Sequence, residues 1–216
     1  MSKKILAFAP HPDDEILGCG GTILKRVKQG YEAYVCLATR TSDWETRISE
    51  MAKADKALGV SGIKMLMMPE LELDKYDRRI LNGKVLNVIK EIQPNEVYIP
   101  YRYDLHSDHS TLSESVIVAT RSKYEFSPSK VLAYETMSET GWNYLSLQNS
   151  FSPNVYEDIT ETVDDKLEAL MIYESQLSEY PSCRSIKAIK SLATFRGTQA
   201  EMPYAEAFML VREYRV

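Results

Sequence analysis

The feature that most restricts the fold of this chain is a regular alternation of short apolar runs with segments of helical periodicity. Each run is a continuous stretch of aliphatic and β-branched residues, as expected of a strand that is buried on both faces. The runs are Lys4–Pro10, Ala33–Thr39, Lys64–Met68, Val97–Pro100 and Lys130–Glu135. Three of the helical segments between them are Gly18–Gln29, Tyr76–Ile92 and Asp108–Thr120. A fourth helix is capped by Ser42 or Asp43 and ends at Leu58. This alternation predicts an α/β fold with a mainly parallel sheet covered by helices on both faces.

The last third of the chain follows this alternation less regularly. Gly141–Pro153 has the composition of a long loop, and Ala205–Arg212 is apolar enough for a late strand. Two helices are predicted between them, at Thr160–Tyr173 and Ser185–Arg196. No internal repeat or low-complexity linker divides the sequence. We therefore predict a single domain that spans residues 1–216.

The charge of the chain and its distribution of apolar residues argue against several classes of function. The formal net charge of −5 disfavours a general binder of nucleic acid or acidic membranes. No apolar run reaches the roughly 18 residues of a membrane span. The run at residues 5–9 is too short for a signal peptide, so we expect a cytoplasmic protein. The odd, widely spaced cysteines (Cys19, Cys36 and Cys183) fit neither a disulfide framework nor a cysteine-based zinc site.

All three histidines of the chain lie in two short acidic segments, and each segment directly follows a predicted strand. His11 lies in residues 9–15, after the first strand, whereas His106 and His109 lie in residues 103–109, after the fourth. Ligands of open α/β sheets bind outside the carboxyl ends of the strands, where the strand order reverses. If the order is 3-2-1-4-5, the first and fourth strands are neighbours at that point. The two segments would then face each other.

The residue types in these segments are those of a metal site. Two imidazoles and one carboxylate, with a position left for water, form the usual catalytic zinc shell. The turn from His11 to Asp14 lets both side chains converge, and Asp13 beside them could take a proton from a metal-activated water. A single histidine is more often structural, and an Asp-Asp pair is often a helix cap. The coincidence of all three histidines in two acidic segments favours the metal site.

The segment Gly18-Cys-Gly-Gly21 superficially suggests a dinucleotide-binding turn. It does not match G-x-G-x-x-G, because Ile23 stands where the last glycine belongs. We interpret these glycines as allowing the helix to pack closely against the metal loop. Met65, Met67 and Met68 are predicted to fill the core beside the third strand.

Residues 9–15 (APHPDDE) together with residues 106–109 (HSDH) resemble the signature of the PIG-L/LmbE-like family of zinc-dependent N-deacetylases. Shorter matches lie at residues 47–50, 57–60, 173–176, 196–197 and 204–208. The resemblance implies a Rossmann-like three-layer sandwich, with sheet order 3-2-1-4-5 plus late edge strands. It also implies hydrolysis of an N-acetyl group, commonly on an N-acetylglucosamine unit.

The resemblance also implies a role for individual residues. The zinc ligands fall on His11, Asp14 and His109, for one zinc ion per chain, with Fe²⁺ as the other candidate metal. The general base falls on Asp13. The family often has proline where this chain has Ser107, a change that leaves the ligands in place.

Four further positions are implied to act on the substrate or the transition state. His106 matches the histidine that stabilises the oxyanion or assists the leaving amine, and Asp108 matches the carboxylate that orients it. Arg47 matches a substrate-contacting position. An acidic substrate contact is expected after the third strand, where Asp74 is preferred and Asp77 also fits.

The expected function is therefore removal of an N-acetyl group from an N-acetylglucosamine-type conjugate, with Asp13 as general base. Alternatives are a non-catalytic sugar- or nucleotide-binding module on the same fold, and a metal hydrolase acting on a different amide. A ferrous oxygenase also uses two histidines and one carboxylate. The expected partner is a small amino-sugar conjugate, and a homo-oligomer is possible because the family contains oligomers.

Overall fold

The computed structural model describes residues 2–143 and 149–214, whose seven strands form one sheet in the order β3-β2-β1-β4-β5-β7-β6. The strands are β1 (Lys4–Ala9), β2 (Glu32–Arg40), β3 (Gly62–Pro69), β4 (Glu96–Pro100), β5 (Lys130–Tyr134), β6 (Val155–Asp158) and β7 (Ala205–Glu213). The first five strands are parallel, and β7 runs antiparallel to both β5 and β6. The predicted α/β class and the order 3-2-1-4-5 with late edge strands are confirmed. Strand β6 was not predicted as a separate element.

Helices cover both faces of the sheet in the predicted three-layer arrangement. They are α1 (Asp14–Lys28), α2 (Trp44–Ala57), α3 (Arg78–Ile92), α4 (Ser107–Ala119), α5 (Met137–Thr140), α6 (Val163–Met171) and α7 (Ile186–Thr198), with a 3₁₀ turn at Leu73–Lys75. Alternate residues of β1 enter two separate apolar clusters, because successive side chains of a strand point to opposite faces. Ile5 packs in the cluster that contains residues of α1, α2, α6 and α7, whereas Leu6 packs in the cluster that contains residues of α3 and α4.

Helix α1 begins four residues earlier than predicted and is kinked at Cys19, whose φ of −148° is not helical. A kink leaves backbone amides without their usual intrahelical acceptors. The buried carboxylate of Glu206 compensates by accepting hydrogen bonds from Gly21 N at 2.9 Å and Thr22 N at 2.7 Å. Lys166 neutralises that carboxylate at 2.6 Å. The kinked helix is therefore fixed to β7 and α6 by polar contacts.

The glycines of α1 allow close packing, but mainly against the sheet and the segment before α6 rather than against the metal loop. A Cβ atom on Gly18 would overlap the ring of Tyr134 on β5, and one on Gly21 would lie 3.0 Å from Ile159. The Tyr134 hydroxyl in turn donates to the carbonyl of Phe8 on β1 at 2.8 Å. Gly18 therefore sets how closely α1 approaches the centre of the sheet.

The prediction that all three methionines of β3 fill the core is wrong for two of them. Met68 is buried, whereas Met65 and Met67 are 41% and 47% exposed, because β3 is an edge strand. Within the described ranges, no helix combines the length and apolarity that crossing a membrane would require.

Candidate metal centre

The predicted site lies at the topological switch point of the sheet. Strand β1 pairs with β2 on one side and with β4 on the other, and all three are parallel. The helices that follow β1 and β4 pack on opposite faces, so the loops at the carboxyl ends of these strands diverge around a crevice. His11 and Asp14 come from the loop after β1, and His106 and His109 come from the loop after β4.

The side chains of His11, Asp14 and His109 are buried, and their ligand atoms lie within 4.8 Å of one another. Asp14 Oδ2 lies 3.3 Å from His11 Nδ1 and 3.2 Å from His109 Nε2. Metal–ligand distances of about 2.1 Å in a tetrahedral shell would separate neighbouring ligand atoms by about 3.4 Å. These three residues could therefore hold one metal ion with little rearrangement. A second possible group, His11, His106 and Asp108, shares a histidine with the first.

Each histidine of the predicted ligand set has a carboxylate on its other ring nitrogen. His109 Nδ1 lies 2.9 Å from Asp104 Oδ2, and Asp104 Oδ1 accepts a hydrogen bond from Thr140 at 2.5 Å. His11 Nε2 lies 3.2 Å from Asp108 Oδ2. A carboxylate on one ring nitrogen fixes the ring orientation and makes the other nitrogen a better ligand. The nitrogens left over are the two that face Asp14.

The carboxylates around the histidines favour positive charge in this pocket. Burial lowers the pKa of His109, but the charge of Asp14 and the hydrogen bond that His109 donates to Asp104 outweigh it and raise the pKa to about 10. Burial likewise lowers the pKa of His11, but the carboxylates of Asp108 and Asp14 that accept from its ring outweigh this effect and raise the pKa to about 9. Without a metal, the pocket therefore holds protons. A divalent cation would replace them, since metal ligands bind in their deprotonated form.

Asp108 and His106 lie at the site, but the Asp108 carboxylate contacts His11 more closely than it contacts His106. Its Oδ2 lies 4.0 Å from His106 Nδ1, while the amides of Leu71 and Leu73 donate to the carboxylate at 2.8 and 3.1 Å. His106 Nδ1 instead accepts a hydrogen bond from the backbone N of Asp108 at 3.1 Å. The carboxylate of Asp108 was predicted to orient His106, but it lies against His11, and His106 is held by the backbone amide of Asp108 instead.

Asp13 is almost fully buried beside the ligands and has an unusual backbone conformation. Its φ of 115° lies in the left-handed region, where the carboxylate of Glu15 accepts a hydrogen bond from Asp13 N at 3.2 Å. Arg184 Nη1 forms an ion pair with Asp13 Oδ2, whereas Oδ1 has no hydrogen-bond partner among the described residues. Burial raises the pKa of Asp13, and the charges of Arg184 and Arg47 oppose that rise.

Of the two predicted substrate contacts, only Arg47 is placed at the site. Arg47 is buried, donates to the carbonyl of Pro12 at 2.7 Å and lies 3.7 Å from Asp13 Oδ1. Asp74 is exposed in the 3₁₀ turn, and nothing in the described ranges joins its side chain to the site by a hydrogen bond or ion pair. The carboxylate after β3 that approaches Arg47, at 4.0 Å, is Glu70.

Asp77, the other acidic residue considered after the third strand, has a structural contact. Its side chain accepts a hydrogen bond from the backbone N of Arg79 and so caps helix α3. Glu70 comes immediately after β3 and is the first carboxylate beyond that strand. Its position in the sequence was therefore a usable signal for a residue near Arg47.

Three more residues of the site were absent from the sequence prediction. Asp104 lies in the acidic segment before His109 and could have been recognised as its partner from that position. Glu139 follows β5, and burial raises its pKa although the charge of His109 opposes this. Arg184 lies 171 positions from Asp13 in an irregular segment, and its role could not be recognised from local sequence.

Comparisons with known proteins find deacetylases among the relatives of this chain. The chain is 28% identical over 229 residues to the diacetylchitobiose deacetylase of Thermococcus kodakarensis, which covers 97% of this chain and 83% of that protein. It is 28% identical over 193 residues to a probable N-acetyl-α-D-glucosaminyl L-malate deacetylase of Bacillus cereus, with coverage of 82% of this chain and 84% of the relative. The structure of the N,N′-diacetylchitobiose deacetylase from Pyrococcus horikoshii matches with a TM-score of 0.79 at 25% identity, covering 97% of this chain and 84% of that one.

A protein-family model matches the part of the chain that carries all the candidate ligands. The family model described as GlcNAc-PI de-N-acetylase matches residues 6–120, which is more than half of the chain and includes both histidine segments. The chain belongs to this family, the PIG-L family.

Proposed function

We propose that this protein is a zinc-dependent deacetylase that hydrolyses the acetamide of an N-acetylglucosamine-type conjugate. The observation that carries the proposal is the convergence of three ligand atoms beside a buried carboxylate oxygen that has no hydrogen-bond partner in the part of the chain that the structure describes. The ligand atoms are His11 Nδ1, Asp14 Oδ2 and His109 Nε2, and the carboxylate oxygen is Asp13 Oδ1. The names of the relatives support the same class of reaction.

The donor set suits a catalytic metal ion. Two imidazole nitrogens and one carboxylate oxygen are typical of zinc hydrolases, with Fe²⁺ as the alternative ion. When bound, the ion supplies Lewis acidity, which makes water more acidic and an acetamide carbonyl more electrophilic. His11, Asp14 and His109 would hold it, and Asp104 and Asp108 would keep the two rings oriented.

Asp13 is the carboxylate available for proton transfer. Asp14 faces both ligand histidines, so its charge is committed to the metal position. Asp13 Oδ2 is paired with Arg184, which leaves Oδ1 to accept the proton of the attacking water. A positioned general base of this kind contributes roughly 10²- to 10⁴-fold to the rate.

His106 is suited to donate a hydrogen bond rather than to act as a ligand. Its Nδ1 accepts from the amide of Asp108, so in the neutral ring the proton lies on Nε2. In the metal-free site, burial and the charges of His11 and His109 lower its pKa to about 4. We assign Nε2–H to the developing oxyanion or to the leaving amine.

The substrate assignment rests on the relatives and on Arg47. The two relatives' names specify diacetylchitobiose and an N-acetylglucosaminyl malate, which share an N-acetylglucosamine unit. Arg47, buried beside Asp13 and close to Glu70, is the proposed polar contact to the sugar. A contact from Asp74, a cytoplasmic location, a homo-oligomer and a single domain over residues 1–216 remain predictions.

Acetate and free-amine release from a panel of conjugates tests the proposal. The panel contains N,N′-diacetylchitobiose, N-acetylglucosaminyl malate and free N-acetylglucosamine, and the proteins are wild type, Asp13→Asn and Asp77→Asn. The last is a matched control, because Asp77 is a carboxylate that caps α3. We expect loss of about 10² or more in kcat for Asp13→Asn only, with metal content unchanged.

Two results would count against the proposal. Equal activity of wild type and Asp13→Asn would remove Asp13 as the base. Release of acetate from no conjugate by a metal-loaded wild type would favour a different amide substrate or a non-catalytic sugar-binding module.

A further inference from the structure

Arg184 reaches the candidate base from a distant part of the chain. It lies in the irregular segment between α6 and α7, and its Nη1 donates to Asp13 Oδ2. The Asp13 side chain is 1% exposed, and that of Arg184 is 27% exposed. The charges of Asp14 and Glu139 also act on the guanidinium. Arg184 thus places a positive charge beside the buried Asp13 carboxylate.

The backbone of Arg184 is fixed by contacts of its own. Its N donates to Ser182 Oγ at 3.2 Å, and its carbonyl accepts from Ser178 N at 3.3 Å. The next residue, Ser185, caps helix α7 by accepting from Ala188 N at 3.2 Å. The backbone from which the Arg184 side chain extends is therefore ordered by hydrogen bonds on both sides of that residue.

The contacts of Asp13 distinguish its two carboxylate oxygens. Oδ2 is occupied by Arg184, whereas Oδ1 is buried without a hydrogen-bond partner among the described residues. Arg47 does not occupy Oδ1, because its Nη2 is 3.7 Å away and donates to the carbonyl of Pro12. A buried acceptor oxygen without a partner is costly unless a ligand supplies a donor. That donor is the attacking water of the proposed reaction.

We infer that Arg184 is a positioning residue for this reaction: it binds Asp13 through Oδ2 and so presents Oδ1 to the attacking water. The inference rests on the proposed function, since it assigns a role within that reaction. Arg184 has no place in the metal shell, and it acts on the reacting atoms only through Asp13. Small displacements of a catalytic group cost up to about 10²-fold in rate, so loss of this contact should be visible in kcat.

Steady-state acetate release by Arg184 variants provides the first test. We expect Arg184→Gln to lower kcat by about tenfold to hundredfold, with little change in KM and with normal metal content. Arg184→Lys should retain intermediate activity, because a point charge replaces the planar fork only in part. Added guanidinium, below denaturing concentrations, should partly restore Arg184→Ala. A rise in KM with kcat unchanged would overturn the inference, because Arg184 would then be binding substrate.

Arg196→Gln is the matched control for these kinetics. Arg196 forms the same kind of partly buried ion pair, with Glu135 at 2.7 Å, and Asp13 is not among its contacts in the described residues. We expect no loss of kcat and no response to guanidinium in this variant. An equal loss of kcat in Arg196→Gln would assign the effect of Arg184→Gln to general structural damage.

Thermal unfolding of the metal-free protein tests the contact without any substrate. Arg184→Gln removes the hydrogen-bonded partner of the buried Asp13 carboxylate and leaves only the 3.7 Å contact with Arg47, so it should lower the Tm. Adding Asp13→Asn removes that charge, so the double variant should have a higher Tm than Arg184→Gln alone. Additive shifts would overturn the inference. If the metal-loaded wild type releases no acetate from any conjugate, the proposed function fails, and this cycle alone decides whether Arg184 holds Asp13.

Discussion

Asp104 should determine how tightly the metal ion is bound, although it is not itself a ligand. Its side chain is buried, and the carboxylate accepts from both His109 Nδ1, at 2.9 Å, and Thr140 Oγ1, at 2.5 Å. Asparagine has nearly the same shape but no charge, so Asp104→Asn would weaken the basicity of the His109 ligand nitrogen. Changes of this kind cost about 10- to 100-fold in metal affinity, which corresponds to about 1.4–2.8 kcal/mol.

Competition for Zn²⁺ against a chromophoric chelator at fixed pH measures this effect. Asp55→Asn is the control, because Asp55 is equally buried and its carboxylate has no hydrogen-bond partner within the described part of the chain. We expect a weaker zinc Kd for Asp104→Asn and an unchanged Kd for Asp55→Asn. The same Kd for Asp104→Asn and wild type would refute the reasoning that Asp104 tunes His109.

Two further predictions concern stability. Gly18→Ala should lower the free energy of unfolding by about 1–3 kcal/mol in urea denaturation, because its Cβ overlaps the Tyr134 ring; an unchanged midpoint would contradict the packing. Burial raises the pKa of Asp55 from its ordinary 3.8 to about 8, so its folded-state pKa lies above its unfolded-state pKa. Its contribution is therefore present below about pH 4 and is lost as the pH rises toward about 8. The stability of Asp55→Asn relative to wild type should thus rise as the pH increases from about 4 toward 8; a constant difference across this range would disprove it.

The parallel sheet and the position of the site followed from local sequence. Continuous apolar runs identify strands buried on both faces, and two histidine segments after the first and fourth of them indicate ligands at a switch point. His11, Asp14 and His109 converge as predicted because the β1–β4 pairing places their loops side by side. The position of the site needed only this short-range pattern and the rule for switch points, whereas the strand order and the choice of His109 over His106 as a ligand came from the resemblance to the PIG-L/LmbE-like family.

Other features depend on contacts that a local pattern does not encode. An edge strand and a central strand have the same apolar composition, so Met65 and Met67 were wrongly expected in the core. Helix α1 begins at Asp14 instead of Gly18, since the Glu15 side chain holds the left-handed Asp13 just before it. Arg184 is paired with Asp13 only through tertiary structure.

The most direct test of a metal-dependent deacetylase is acetate release by metal-free protein as zinc is added back in known amounts. We predict activity that rises linearly to about one zinc ion per chain, as three ligands around a single position require. His109→Ala, which lacks one ligand, should show no such rise. Acetate release at the full rate by the metal-free protein would contradict the metal-dependent mechanism.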